Sequence, residues 1–238
     1  MKNFWTYITN GKYWIGCLKN KVFLYDNNGI ELTTFKDIEP KFAVFSPVEN
    51  IFIVKSAQSF FSVYSADTKQ LLYKVTFAKR FAVQEDGMSF SPDGKYFINI
   101  EEQQDLSVKG HADDKCISIY ETQGFTCVAR YDLDSKTEAK FIEYGSDGIP
   151  YILGFNRRDD GVFKNRFIAK LSERGIVEMR VIQEDDYKFY ENFKILQMYG
   201  FTELAKKWSG FAFDGTDMTG FENKSYPFKD LWSNGSII

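Results

Sequence analysis

The sequence predicts an all-β protein assembled from repeated four-stranded units, and three observations carry that expectation. A turn signature flanked by aromatic residues recurs four times along the chain. Each copy is followed by a second hairpin pattern. Between the turns, apolar residues alternate with a period of two, the spacing of a strand rather than of a helix. Composition is compatible: the 238 residues are 44% hydrophobic and 26% charged, with 24 Phe, 14 Tyr and 4 Trp, enough apolar side chain to close a substantial core.

The clearest copy of the turn is Phe90-Ser91-Pro92-Asp93-Gly94-Lys95-Tyr96-Phe97-Ile98. An aromatic residue ends one strand, Ser-Pro-Asp-Gly turns, and Tyr-Phe-Ile begins the next. Pro92 presets φ at the second turn position and Gly94 accepts a positive φ at the fourth. The same register appears at Tyr7-Ile8-Thr9-Asn10-Gly11-Lys12-Tyr13-Trp14-Ile15 and at Phe45-Ser46-Pro47-Val48-Glu49-Asn50-Ile51-Phe52-Ile53. A weaker copy is Tyr144-Gly145-Ser146-Asp147-Gly148-Ile149-Pro150-Tyr151-Ile152. The anchors at 7, 45, 90 and 144 are thus 38, 45 and 54 residues apart.

The second hairpins follow in order. Val22 to Tyr25 turns through Asp26-Asn27-Asn28-Gly29 into Ile30 to Leu32, and Phe61 to Tyr64 turns through Ser65-Ala66-Asp67-Thr68 towards Leu71 to Tyr73. Ile117 to Tyr120 turns through Glu121-Thr122-Gln123-Gly124 into Phe125 to Val128, and Phe167 to Leu171 turns through Ser172-Glu173-Arg174-Gly175 into Ile176-Val177. Four strands per unit at a period near ~40 residues is the sequence form of a β-propeller blade. The aromatic residues at matched positions beside the turns and at the ends of the third strands read as packing between blades.

On these residues, the Phe-Ser-Pro-Asp-Gly-Lys-Tyr turn followed by an apolar-x-apolar-Tyr strand, the chain resembles WD40-like and related β-propeller repeat proteins over residues 2–182. It departs from that pattern in two respects. No Trp-Asp dipeptide closes a third strand, the equivalent positions reading Tyr25-Asp26, Tyr64-Ser65 and Tyr120-Glu121. The Gly110-His111 dipeptide lies between the second and third strands of the third repeat, away from the family's structural histidine.

After Val181 the pattern changes. Asp185 or Asp186 can cap a helix running through Tyr187, Phe193, Leu196 and Tyr199, and a second short helix is expected over 201–208. Phe211-Ala212-Phe213-Asp214-Gly215 echoes a blade's first turn. Residues 183–238 are therefore expected to be a helical segment and tail that pack on the propeller or complete it as a partial fifth blade, within one domain overall.

Little in the chain points to catalysis. A single His cannot supply a multi-histidine metal site, and any His-dependent triad would have to use His111. Neither a Gly-x-Ser-x-Gly elbow nor a phosphate-cradling glycine loop occurs. Cys17, Cys116 and Cys127 lack metal-type spacing and fit reduced thiols acting as small hydrophobes, although Cys116 and Cys127 bracket one hairpin and could lie close in space. With 30 basic and 33 acidic residues and a net charge of −3, no clustered positive field favours nucleic acid. No apolar run approaches the ~20 residues that span a bilayer, and the N-terminus has no signal-peptide h-region. A soluble, cytoplasmic protein is expected, without cofactor and without membrane association.

One location stands out as a candidate site. The connection between second and third strands is short in the first two repeats, around Leu18-Lys19-Asn20 and Ala57-Gln58-Ser59, and lengthens to 101–115 in the third and 156–165 in the fourth. Long loops on a rigid scaffold are where binding concentrates. Asp105, His111, Asp113, Asp114, Arg157 and Arg158 are accordingly expected to contribute to a partner-binding surface, the alternative being a tolerated, solvated insertion. A metal reading of His111 with Asp105, Asp113 and Asp114 is the lesser possibility. The function expected is a non-catalytic protein-interaction module: a scaffold, an adaptor or an inhibitor of the immunity type. The competing expectation is a small propeller hydrolase or lyase with carboxylates in a central channel, acting on a small molecule.

Overall fold

The computed structural model describes residues 4, 6–77, 87–104, 113–134, 136–144, 148–157, 163–172, 175–182 and 236–237. The strands form sheets in which each strand pairs antiparallel with the next in sequence. The first sheet comprises β1 (Thr6–Thr9), β2 (Tyr13–Leu18), β3 (Lys21–Asp26) and β4 (Glu31–Lys36). The second comprises β5 (Pro40–Phe45), β6 (Ile51–Ser56), β7 (Phe60–Ser65) and β8 (Gln70–Thr76). The third contains β9 (Met88–Phe90), β10 (Tyr96–Gln104), β11 (Asp113–Glu121) and β12 (Thr126–Asp132). The fourth contains β13 (Thr137–Tyr144), β14 (Pro150–Arg157), β15 (Phe163–Ser172) and β16 (Gly175–Ile182). Two residues near the C-terminus, β17 (Ser236–Ile237), add a fifth strand to this sheet by pairing with β16. The helices expected between 187 and 208, and the rest of the tail, lie outside the described residues.

The recurring turns form for the reasons their residues suggest. In the third repeat the Ser91 hydroxyl bonds Asp93 Oδ1 at 2.7 Å and accepts from the Tyr96 amide at 2.9 Å, while the Lys95 amide donates to Asp93 Oδ1 at 3.1 Å. Gly94 sits at φ +71°. In the second repeat Ser46 plays the same part, its hydroxyl accepting from the Val48 and Glu49 amides. The second hairpin of the first repeat is closed by Asp26, whose Oδ1 accepts from the amides of Asn28 and Ile30.

The chain divides into two compact units, Met1–Ser135 and Lys136–Ile238. In the first, the leading strands β1 and β5 adjoin, as do β5 and β9, and apolar cores fill the spaces between successive sheets. Between sheets one and two lie Ile15, Cys17, Val22, Leu24, Phe52, Val54 and Tyr64. Between sheets two and three lie Ile53, Phe61, Val63, Phe77, Phe90, Phe97, Tyr120 and Phe125. Successive residues of β6 point to opposite faces, so Phe52 and Val54 serve one core and Ile53 the other, and every residue of β7 is buried. The aromatic side chains are therefore packing between sheets: Phe52 stacks on Tyr64 at 5.3 Å, and Phe61 meets Phe97 and Tyr120 edge-on, each at 5.1 Å. β8 is the outer strand of its sheet and leaves Leu71, Leu72 and Tyr73 exposed, flanked by Lys69 and Lys74.

Two readings of the sequence need correction. Both ends of the connection read as a long loop over 101–115 are strand, residues 101–104 in β10 and 113–115 in β11, since the two pair from Tyr96↔Glu121 to Gln104↔Asp113. The polar run Glu101-Glu102-Gln103-Gln104 reads as loop because it lacks apolar alternation, but ladder bonds are made by the backbone and are indifferent to side-chain polarity. Phe125, in turn, is not the first residue of its strand. It occupies φ +52° in the turn before β12, which directs its buried ring against Phe61.

Candidate functional site

In the first unit the β2–β3 and β6–β7 connections and the first residues of β11 are each tied to the chain that follows their sheet's last strand. The Asp37 amide, just after β4, donates to Asn20 O of the β2–β3 turn at 3.1 Å. Phe77, just after β8, repeats this to Ser59 O, and Leu133, just after β12, repeats it to Lys115 O, each at 2.9 Å. The β4–β5 connection is also tied to the end of β6 by Ser56 Oγ donating to Ile38 O and by the Ala57 amide donating to Glu39 O.

A cleft of about 690 Å³ is built around the β2–β3 turn, the end of β4 and one residue of β8. Leu18 and Lys21 pair across the turn, leaving Lys19 and Asn20 as its two central residues. Lys19 lies at φ +54°, a region that is unfavourable for a side chain bearing a Cβ. Lys19, Lys21, Lys36 and Lys74 line the cleft and are all exposed, and Asp37 is its one acidic lining residue.

Asp37 is already engaged. It is 8% exposed, accepts from the Tyr64 hydroxyl at 2.7 Å through Oδ2, and accepts from the Ile38 amide through Oδ1. Burial, and then Asp37, push the Tyr64 hydroxyl far above the ordinary tyrosine range. Cys17, behind the same wall, is pushed up to about 12 by burial and by the Asp37 charge, so it is not a poised nucleophile. Lys74 lies over the Phe60 ring, 3.8 Å from its centroid. Lys19, Lys21 and Lys36 have no acidic partner within ion-pair distance among the described residues.

A second polar group lies within the packing between sheets two and three. Tyr120, at the position equivalent to Tyr64, donates to Glu101 Oε1 at 2.7 Å, and burial followed by the Glu101 charge raises its hydroxyl pKa. Lys55 Nζ, fully buried, donates to Ile100 O at 2.6 Å across the two sheets. On the other face of β10, Lys115 Nζ meets Glu102 Oε1 at 3.1 Å with both side chains buried. These groups are enclosed and hold sheets together. The two described carboxylates with displaced pKa values, Asp67 and Asp93, are both pushed down, the opposite of what a general acid requires.

Of the residues expected to form the binding surface, Asp113 and Asp114 open β11 and Arg157 ends β14. Asp105, His111 and Arg158 lie outside the described residues, and with them the metal reading that uses His111. Among the described residues, no group of three or more His, Cys, Asp or Glu could hold a metal ion, and no helix is long and apolar enough to cross a membrane. Cys116 and Cys127 do not approach as a disulfide would. The register sets Cys116 opposite Asp132 and Cys127 opposite Tyr120, four residues apart along β11, and all three cysteines are free. The sequence reading passed over the lysine-lined cleft because the β2–β3 connection is short. A two-residue turn of Lys19-Asn20 with no glycine, followed at once by Lys21, was the available signal.

Antiparallel four-stranded sheets in consecutive repeats define the chain as a WD40-like β-propeller repeat fold, and comparison with solved structures agrees. The chain is similar to the WD40 domain of Neurospora crassa Pan2, with a TM-score of 0.50 and 9% sequence identity, covering 75% of this chain and 52% of that one. At that identity the likeness shows the fold alone, and the chain spans about half the length of that structure. No family model matches the chain, and no curated protein does so.

Proposed function

We propose that the chain is a non-catalytic protein-interaction module that engages its partner at the end of the sheets where the second-to-third strand connections emerge. The observation that carries this reading is the cleft at that end. It has four exposed lysines against one engaged carboxylate, mounted on a turn and a connection pinned to each other by backbone hydrogen bonds. A pocket on a rigid scaffold, with apolar walls and a few convergent polar groups, is the usual form of a recognition site. Asp113 and Asp114 open β11 and are assigned to the proposed surface, and Asp105 and His111 are assigned to it by their place in the sequence between β10 and β11. Arg157 and Arg158, at the β14–β15 connection of the second unit, are assigned the same role by analogy of position. The fold by itself does not select this function; the cleft supports it.

The lysines supply their own test. Lys19, Lys21 and Lys36 lie at this end, whereas Lys12, Lys69 and Lys95 lie in turns at the other. In amine-reactive cross-linking of the tagged chain in its native source, partner cross-links are expected on the first three. Cross-links concentrated on Lys12, Lys69 and Lys95 would overturn the assignment.

A further inference from the structure

The lining of the cleft carries more positive than negative side chains, and its size is not that of a single-ion site. Charged groups at protein surfaces ordinarily sit among both signs, and the chain as a whole is net −3. Here four lysines line the space beside one carboxylate that already accepts two hydrogen bonds, the Lys74 ammonium resting over the Phe60 ring. At about 690 Å³ the space is far larger than a lone small anion fills. Leu18, Phe23 and Ile38 give it apolar wall, and Ile38 stands 47% exposed beside Lys36.

We propose that this cleft binds an acidic peptide segment of the partner, a short run of Asp and Glu side chains carrying an apolar residue. The proposal rests on the reading above and names the chemistry of the partner at the same site. Carboxylates complement the four lysines, and an apolar side chain complements Leu18 and Ile38. A nucleic-acid strand fits less well. It needs an extended basic track with exposed rings on which bases stack, and Phe23, the aromatic residue of the lining, is only 7% exposed. No guanidinium lines the cleft to clasp a phosphate in two-pronged fashion. The position of Lys19 points the same way: a turn residue at φ +54° is one where glycine is most easily accommodated, yet the chain carries an ammonium group there.

The test is fluorescence anisotropy of the full chain with a labelled peptide of interspersed Glu and Leu, beside the same peptide with every Glu replaced by Gln. The acidic peptide should bind and the Gln peptide should not, with affinity falling as salt rises from about 50 to about 300 mM. The double variant Lys19→Glu/Lys36→Glu should weaken binding at least about tenfold, since each reversal turns an attraction into a repulsion. Lys69→Glu/Lys95→Glu, at the other end, should leave it unchanged. Lys19→Gly, which relieves the turn, should retain the fold and still weaken binding about threefold. Equal binding of the Gln peptide, or no binding of either, overturns the proposal. Tighter binding of a single-stranded RNA, lost in the same double variant, makes the cleft a nucleic-acid site. Displacement by inorganic phosphate at about millimolar concentration makes it a general anion site. The proposal fails alone if partner cross-links fall on Lys19, Lys21 and Lys36 while the acidic peptide does not bind. Cross-links at the opposite end remove the reading beneath it.

Discussion

At Gly94 turn chemistry and packing between repeats meet. Its φ of +71° suits glycine, and a Cβ added there would lie 2.2 Å from Val48 Cγ2 in the preceding repeat's turn. Gly94→Ala is therefore expected to cost about 2–4 kcal/mol, combining left-handed backbone strain with overpacking. Thermal denaturation should show the loss, and adding Val48→Ala should recover the packing part but not the backbone part. The first contribution was legible in Ser-Pro-Asp-Gly. The second was not, because Val48 lies 46 residues upstream and only the fold brings it near. Asp67 makes a different prediction. It accepts from the Tyr13 hydroxyl at 2.8 Å, Lys12 Nζ at 3.1 Å and Asn50 Nδ2 at 2.9 Å, joining the turns of two repeats. These bonds, that of Asn50 foremost, lower its pKa from 3.8 to about 2. A depressed carboxylate pKa contributes stability that is fully present above the unfolded value and is lost as pH falls through the folded value. Urea midpoints of the native chain should accordingly fall between about pH 4 and pH 2 by more than those of Asp67→Asn; identical curves would show that these bonds contribute nothing.

Among the elements, the paired strands β10 and β11 depart furthest from expectation. Two carboxylates in their polar stretch are paired: Glu101 receives the Tyr120 hydroxyl, and Glu102 meets Lys115. Isolated in sequence, these residues look like solvent-facing loop, and only the register that sets Glu102 opposite Lys115 reveals a buried pair. Removing one partner leaves a buried charge uncompensated, so Lys115→Met should destabilise the fold by about 3–5 kcal/mol. Lys115→Met/Glu102→Leu should recover much of that loss. If the single variant melts with the native chain, the pair is not buried as described. The Tyr residues standing where the related repeats carry Trp-Asp show the converse case. Their recurrence marked the third strands correctly, but not that Tyr64 and Tyr120 each reach a carboxylate, Asp37 from a connection and Glu101 from a strand.

On the scale of the whole molecule, repetition was the most legible property, because turn residues and alternating apolar residues act locally and leave their period in the sequence. The central strands β6 and β7 were the exception in kind: they are buried on both faces, and only neighbouring sheets on either side account for that. The lysine-lined cleft was not legible in the sequence. Long connections drew attention to the third and fourth repeats, while the cleft assembles from residues of three separate chain segments of the first two repeats whose individual charges look ordinary. Overall net charge concealed it as well, since −3 is a sum over the molecule and a cluster of four lysines leaves no trace in a sum.

Lys74 ties this cleft to a second property of the molecule. The same lysine that helps line the cleft also follows Leu71, Leu72 and Tyr73 on the outer strand β8, where an open edge with apolar side chains is a template for pairing with another chain and a nearby lysine deters it. On the proposed reading, recognition and colloidal behaviour share one residue. A chain altered at Lys74 to silence binding would also lose a gatekeeper against self-association, and a partner that neutralises Lys74 would have to shield the strand beside it.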